Sequence, residues 1–277
     1  YSQAIELNEK SAAKKTSFVY NSSYYNLANI KYDLKDYSGA IDNYSRIINL
    51  NPNYKFISEV YFFRGSAKYN SGNYSGAIAD YSTLLNKHPK YYRSDAAYYY
   101  SGRSKMKLNN NNEAVDDFTK AIAIKPKSNY YFQRAFANYS LDNYSEAIAD
   151  FTKVINDEPK NAVAYYNRGL SKYYSGNKSA AIGDFLEAYT AKPDYANAFW
   201  MHGKTIAQVE GSPQGKRGCR SIERAIRLGQ KDAIKWGKIS ITKDDWCNFK
   251  YIPYRGKANQ INGKDVRAEN HILNYLE

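Results

Sequence analysis

The residues of this 277-residue chain that could hold a metal or move a proton are three histidines, two cysteines and a few adjacent carboxylates. Their spacing argues against both uses. His88 stands before Pro89, where a cation suits the end of a helix dipole. His202 abuts Gly203, the setting of a packed or hydrogen-bonded ring, and His271 is remote from both in sequence. Cys219 and Cys247 are 28 residues apart without companion ligands, so neither a zinc site nor a disulfide framework is expected. Asp116-Asp117 and Asp244-Asp245 are immediate neighbours, hence on different sides of a helix or in a turn, which reads as solvated surface. No G-x-x-x-x-G-K-[ST], no G-x-G-x-x-G ahead of a helix and no H-E-x-x-H occurs. The expectation is a non-catalytic chain with no cofactor and no metal.

Charge is the other chemistry on offer. The chain carries 40 basic and 27 acidic residues, a net charge of +13. Residues 196–277 hold 15 basic against 8 acidic, and residues 1–195 hold 25 against 19. Lys216, Arg220, Arg224 and Arg227 recur at helical spacing. The ordinary reading is the solvated face of a capping helix. The alternative is a basic patch over 216–238 that docks an anionic partner: an acidic protein, nucleic acid or a membrane surface. No basic stretch interleaved with stacking aromatics marks a nucleic-acid module, so nucleic acid is the least favoured. Mean hydropathy is −0.73, and no apolar run approaches the roughly 18 residues of a membrane helix. Tyrosine is the compositional oddity, 30 residues beside 11 Phe and 3 Trp.

The elements that must position these groups follow from a repeat. Pro52, Pro89, Pro126, Pro159 and Pro193 are spaced 37, 37, 33 and 34 apart. Twelve residues before each is Ala40, Ala77, Ala114, Ala147 or Ala181, and four residues after each alanine is Tyr44, Tyr81, Phe118, Phe151 or Phe185. Twelve residues before each alanine is a small residue: Ala28, Gly65, Gly102, Ala135 or Gly169. Two fixed intervals, each held five times, mark an internal repeat. A small residue lets two elements approach, an aromatic fills the gap between them, and a proline ends a helix. Ser38, Ser75, Asn112, Ser145 and Ser179 are expected to cap the second helices. Asn-x-Ser sequons arise at Asn21, Asn43, Asn73, Asn138, Asn143 and Asn177, several simply because Asn-Tyr-Ser is the turn formula. Three extra residues fall between repeats around Lys55–Ile57 and Tyr92–Ser94, and Phe56, Ile57 and Val60 favour their joining the following helix.

This pattern resembles the tetratricopeptide repeat, written W-x2-L-G-x2-Y…A-x3-F…P over about 34 residues. The third copy runs Tyr98-Tyr-Tyr-Ser-Gly102…Ala114-Val-Asp-Asp-Phe118…Pro126. Tyr usually stands where the family has Trp, and Lys31, Lys68, Lys105 and Lys172 stand where it often has Tyr. The resemblance implies an all-α, right-handed α-α solenoid with an irregular C-terminal tail. Its units are a half repeat at 1–9, repeats at 21–54, 58–91, 95–128, 129–161 and 162–195, and a degenerate repeat at 196–230, before a capping helix and tail at 231–277. With the small residue counted as position 8, the resemblance implies that positions 2, 5, 9, 12 and 13 of each first helix face a concave groove. Position 5 is Tyr25, Phe62, Tyr99, Phe132, Tyr166 and Trp200; position 12 includes Tyr32, Tyr69, Met106, Tyr139 and Tyr173. Position 9 includes Asn29, Arg103 and Lys204. One subfamily grips chaperone tails with Lys and Asn at positions 5 and 9; position 5 is aromatic throughout here and position 9 varies from Asn29 to Leu170, so that clamp is not expected. What is implied is a scaffold for a protein or peptide partner, bound in an aromatic-lined groove.

Tyr1, Ala4 and Glu9 match the aromatic, alanine and proline slots of a preceding second helix, so the chain reads as truncated at its start. Compartment is therefore left open between cytoplasm and periplasm. At the far end Ile239–Thr242 reads as a short strand and Ala268–Leu276 as a short helix.

Overall fold

The computed structural model describes residues 22–209 and 216–240, all of their regular structure helical. The chain divides into two compact units, Tyr1–Pro193 and Asp194–Glu277. The first holds α1 (22–33), α2 (Tyr37–Leu50), α3 (Ile57–Asn70), α4 (Tyr74–Lys87), α5 (Ser94–Lys107), α6 (Asn111–Ile124), α7 (Ser128–Ser140), α8 (Tyr144–Asp157), α9 (Ala162–Tyr174) and α10 (Lys178–Ala191). The second holds α11 (Ala196–Val209), α12 (Lys216–Arg227) and α13 (Lys231–Ser240). In the first unit each helix from α2 on packs on the next, α1 meets α2 where Tyr25 and Asn29 touch Tyr44, and α5 also touches α3 and α7. This is an α-α solenoid whose first helices stand side by side. The half repeat at 1–9, the swollen turn at 210–215 and the chain from 241 onward lie outside the described residues. Ile239 and Ser240 close α13, so half of the expected strand is helix.

The slots do what their residue types require. All five alanines and all five aromatics of the second helices are fully buried. A Cβ added to Gly102 would stand 2.8 Å from the Phe118 ring, and one added to Gly169 2.8 Å from Phe185. In the second unit Gly203 is tighter still, 2.5 Å from Ile222, which fills the ring slot, and 2.6 Å from the Gly218 carbonyl.

The intra-repeat turn corrects the expected caps. The second helices begin at Tyr37, Tyr74, Asn111, Tyr144 and Lys178, and the capping residue lies two positions before the expected Ser or Asn112. Asp36, Asn73 and Asn177 accept from the amides of Gly39, Gly76 and Ala180 at 2.9, 2.9 and 3.2 Å. A carboxylate or amide reaches that amide from just outside the helix, whereas the serines fall inside the first turn and face solvent. The residue before each cap has positive φ: Lys35, Gly72, Asn109, Asp142 and Gly176. At Gly72 its amide bonds Tyr69 and that of Asn73 bonds Lys68, at 3.1 and 2.8 Å, the paired bonds of a Schellman turn.

The inter-repeat insertions are loop rather than added helix. α3 and α5 have 14 residues against 13 in α7 and α9, so only one inserted residue becomes helical. The rest form successive tight turns, Tyr54 to Asn51 then Ile57 to Tyr54, and Tyr91 to His88 then Ser94 to Tyr91. Each double turn tucks a tyrosine, Tyr54 or Tyr91, into the core, which holds the chain in the loop path.

Buried charge ties neighbouring repeats together. Arg64, Arg134 and Arg168 fork onto Asp80, Asp150 and Asp184 at 2.6–3.0 Å. Each also donates to a hydroxyl of the preceding repeat, Ser45, Thr119 or Thr152. Lys68 and Lys172 add a second cation to Asp80 and Asp184, and Lys105 alone holds Asp117 at 2.8 Å. Asp117 is thus a buried ion-pair partner, a correction to the solvated-surface expectation, while Asp116 is exposed. In the second unit the same two slots hold His202 and Ser221, hydrogen-bonded at 2.9 Å.

Two expected outcomes test these packings. Gly102→Leu should lower stability by about 1–3 kcal/mol in urea melts, and Gly102→Ala by less, since Ala28 and Ala135 are accommodated in the same slot; equal stability of all three chains would overturn the close approach. Arg134→Leu strands a buried Asp150 and should cost about 3 kcal/mol. Arg168→Leu should cost clearly less, because Lys172 still holds Asp184; the reverse order of midpoints would refute the pairing.

Candidate functional site

The candidate face is built from rings that already have a structural partner. Position 5 leans on its own repeat's second-helix aromatic: Tyr25 on Tyr44, Phe62 on Tyr81, Tyr99 on Phe118, Phe132 on Phe151 and Tyr166 on Phe185, with centroids 5.8–6.2 Å apart. Phe62 and Tyr99 are buried by this; Tyr25, Phe132 and Tyr166 stay half-buried. Position 12 meets the turn instead. Tyr32, Tyr69 and Tyr139 stand edge-on to Tyr37, Tyr74 and Tyr144 at 5.5–5.8 Å, and the Lys178 ammonium lies over Tyr173. These four tyrosines and Met106 are half-buried. Contacts to the next repeat lock the row: Asn70 donates to the Tyr32 hydroxyl at 2.9 Å, Tyr69 meets Tyr100 and Tyr139 meets Tyr174. Burial raises the phenol pKa of Tyr25, Tyr32, Tyr69, Tyr99 and Tyr139, so the face presents neutral hydroxyls.

Position 9 divides according to the second-helix ring. Where that ring is Tyr, position 9 satisfies its hydroxyl: Asn29 accepts from Tyr44, and Ser66 bonds Tyr81 at 3.0 Å. Where it is Phe, no such partner is needed, and Arg103, Phe136 and Leu170 occupy the slot. Asn29 is thus committed to the core. Arg103 is held over two rings, 5.1 Å from the centroid of Tyr69 and 5.7 Å from that of Tyr99. Trp200, buried, and Lys204, half-buried, belong to α11 of the second unit. All four residues of the basic patch fall on α12; Arg220, Arg224 and Arg227 are exposed, and Arg227 donates to Glu223 at 2.6 Å.

One polar knot escaped sequence reasoning. Lys127, at the start of α7, donates to Asp95 of α5 at 2.7 Å and approaches the Tyr130 hydroxyl at 2.9 Å, while Tyr130 donates to Asp95 at 2.8 Å. Burial would raise the Asp95 pKa, but Lys127 and Tyr130 outweigh it and bring it below the ordinary carboxylate value. Burial pushes Tyr130 up to about 12. Among the described residues no group of three His, Cys, Asp or Glu side chains could hold a metal, and no helix is long and apolar enough to cross a membrane. Cys219 is disulfide-bonded.

Models of the tetratricopeptide repeat match residues 22–54, 64–129 and 133–196. Among solved structures, the C-terminal part of a TPR repeat-containing protein from Cytophaga hutchinsonii shares 19% identity with a TM-score of 0.65, covering 77% of this chain and 82% of that one. YrrB, described as a TPR protein with an unusual peptide-binding site, shares 18% with a TM-score of 0.60, covering 71% and 98%. MamA shares 22% with a TM-score of 0.58, covering 64% and 94%. These likenesses are of fold. No curated protein matches the sequence.

The position-9 rule has a direct check. Ser66→Ala should cost about 1–3 kcal/mol by stranding the buried Tyr81 hydroxyl, and adding Tyr81→Phe should recover most of it. A purely additive double-mutant cycle in thermal melts would show that the two residues do not answer one another.

Proposed function

The chain belongs to the tetratricopeptide repeat family, and we propose that it is a non-catalytic scaffold that holds a protein or peptide segment across the first-helix face of Tyr1–Pro193. The observation that carries this reading is the row of rings left half-exposed after every core slot is filled: Tyr25, Tyr32, Tyr69, Phe132, Tyr139, Tyr166 and Tyr173. Phe62 and Tyr99 form its floor. Side chains that served only the core would be covered, and scattered surface tyrosines would not be pinned by neighbours on both sides. Pinned rings lose little entropy on binding and offer large contact area with a hydroxyl as polar handle. Exposed Phe56, Tyr92 and Tyr174 extend the aromatic surface beyond the row, and aromatic clusters of this kind dominate interface hot spots. The description of YrrB, a fold neighbour, supports a peptide as the ligand class.

A 12-residue peptide enriched from a random display library on the whole chain is the probe. Tyr139→Ala with Tyr173→Ala should weaken it by about 2 kcal/mol, roughly thirtyfold, with far-ultraviolet dichroism unchanged. Equal affinity for the double variant would reject the face as the binding surface.

A further inference from the structure

The arginines of the first unit fall into two classes. Arg64, Arg134 and Arg168 are spent on buried aspartates. Arg103 is not: it lies half-buried over the Tyr69 and Tyr99 rings and makes no ion pair with any described residue. Lys107, one turn further along α5, is also half-buried and without an ion pair among the described residues. Arg103 acts on both the Tyr69 and the Tyr99 hydroxyl and hydrogen-bonds the latter. Among the five repeats of this unit, only the third carries cations at positions 9 and 13; the others have Asn29, Ser66, Phe136 and Leu170 at the first and Asp33, Asn70, Ser140 and Tyr174 at the second. Partial burial weakens the hydration of a guanidinium, and the ring faces return only part of that. A guanidinium carries five N–H donors, more than its contact with the Tyr99 hydroxyl uses, and a planar carboxylate is the acceptor its fork matches bidentately.

On the reading that this face binds a peptide, we infer that its third repeat selects a side-chain carboxylate: the partner segment carries an Asp or Glu that Arg103 receives bidentately, with Lys107 beside it, flanked by residues that rest on the neutral tyrosines. Position 5, where the chaperone-tail subfamily has its lysine, is Tyr99 here, so the acid expected is an internal side chain read by one fork.

The same 12-residue library on the whole chain decides the matter. Enriched peptides should share one acidic position. Replacing it by its amide, Asp→Asn or Glu→Gln, should weaken binding at least tenfold to the unaltered chain, yet have little effect on Arg103→Gln, which should itself bind both forms weakly. Lys107→Gln should reduce binding a few-fold. Arg103→Gln should lower the thermal midpoint only slightly, because it gives up two ring contacts but strands no buried carboxylate. If the amide form binds equally well while Tyr139→Ala with Tyr173→Ala still weakens binding about thirtyfold, the carboxylate inference falls and the face stands. If neither change matters, or if no peptide is enriched, both fall.

Discussion

Everything in the first unit hangs on the distance between the two helices of each repeat, set by a small residue meeting a ring. The first-helix slot is Ala or Gly, and a fully buried Tyr or Phe of the second helix stands against it. Once the helices are that close, the ring fills the gap between them and position 5 must lean on its edge. Position 9 then has to answer a hydroxyl wherever the ring is Tyr, as Asn29 and Ser66 do. The half-exposed rings of the first helices follow from that packing and owe their order to it. A face held this way is rigid because its inner half belongs to the core.

The same close approach leaves a narrow polar seam, and the chain fills it with charge. A buried aspartate is costly unless fully paired, and a guanidinium fork with a second donor to the preceding repeat satisfies it. The third repeat departs from the rule: Ser101 stands in the arginine slot, and Lys105 serves Asp117 by itself. Its guanidinium appears instead two residues on, at Arg103, against tyrosines rather than a carboxylate. In the second unit the slots hold His202 and Ser221, a hydrogen bond in place of the ion pair, where Gly203 and Gly218 bring the backbones closer still.

What could be read in advance was what repeats. The fixed interval of twelve marked the small, alanine and proline slots, because one packing solution recurs and its residue types follow from sterics. The aspartate forks were legible too, at a constant separation of 16 residues from Arg64 to Asp80, Arg134 to Asp150 and Arg168 to Asp184; they were passed over because charged residues on amphipathic helices normally face water. Other features had no periodic signal. Lys127 and Asp95 are 32 residues apart and meet at one junction only. Turn caps failed for a different reason: Asp, Asn and Ser all cap well, and which of two candidates does so depends on which residue before it takes positive φ. The inserted loops misled because Phe56, Ile57 and Val60 do continue an apolar face, while the burial of Tyr54 was decided by tertiary packing.

Under the proposed function, selectivity on such a face would have an unusual source. Burial keeps its phenols neutral, so the tyrosine rows can supply area and hydrogen bonds to many sequences without sorting them by charge. Discrimination between ligands would then rest on the few sites where the rule of local pairing is broken, since an unpaired charge rejects what cannot complement it. In three repeats a buried aspartate takes up the first-helix arginine, whereas in the third Ser101 stands in that slot, Lys105 alone serves Asp117, and the guanidinium of Arg103 lies among the rings. Under the proposed function, Arg103 would be the charge that this face offers to its partner segment.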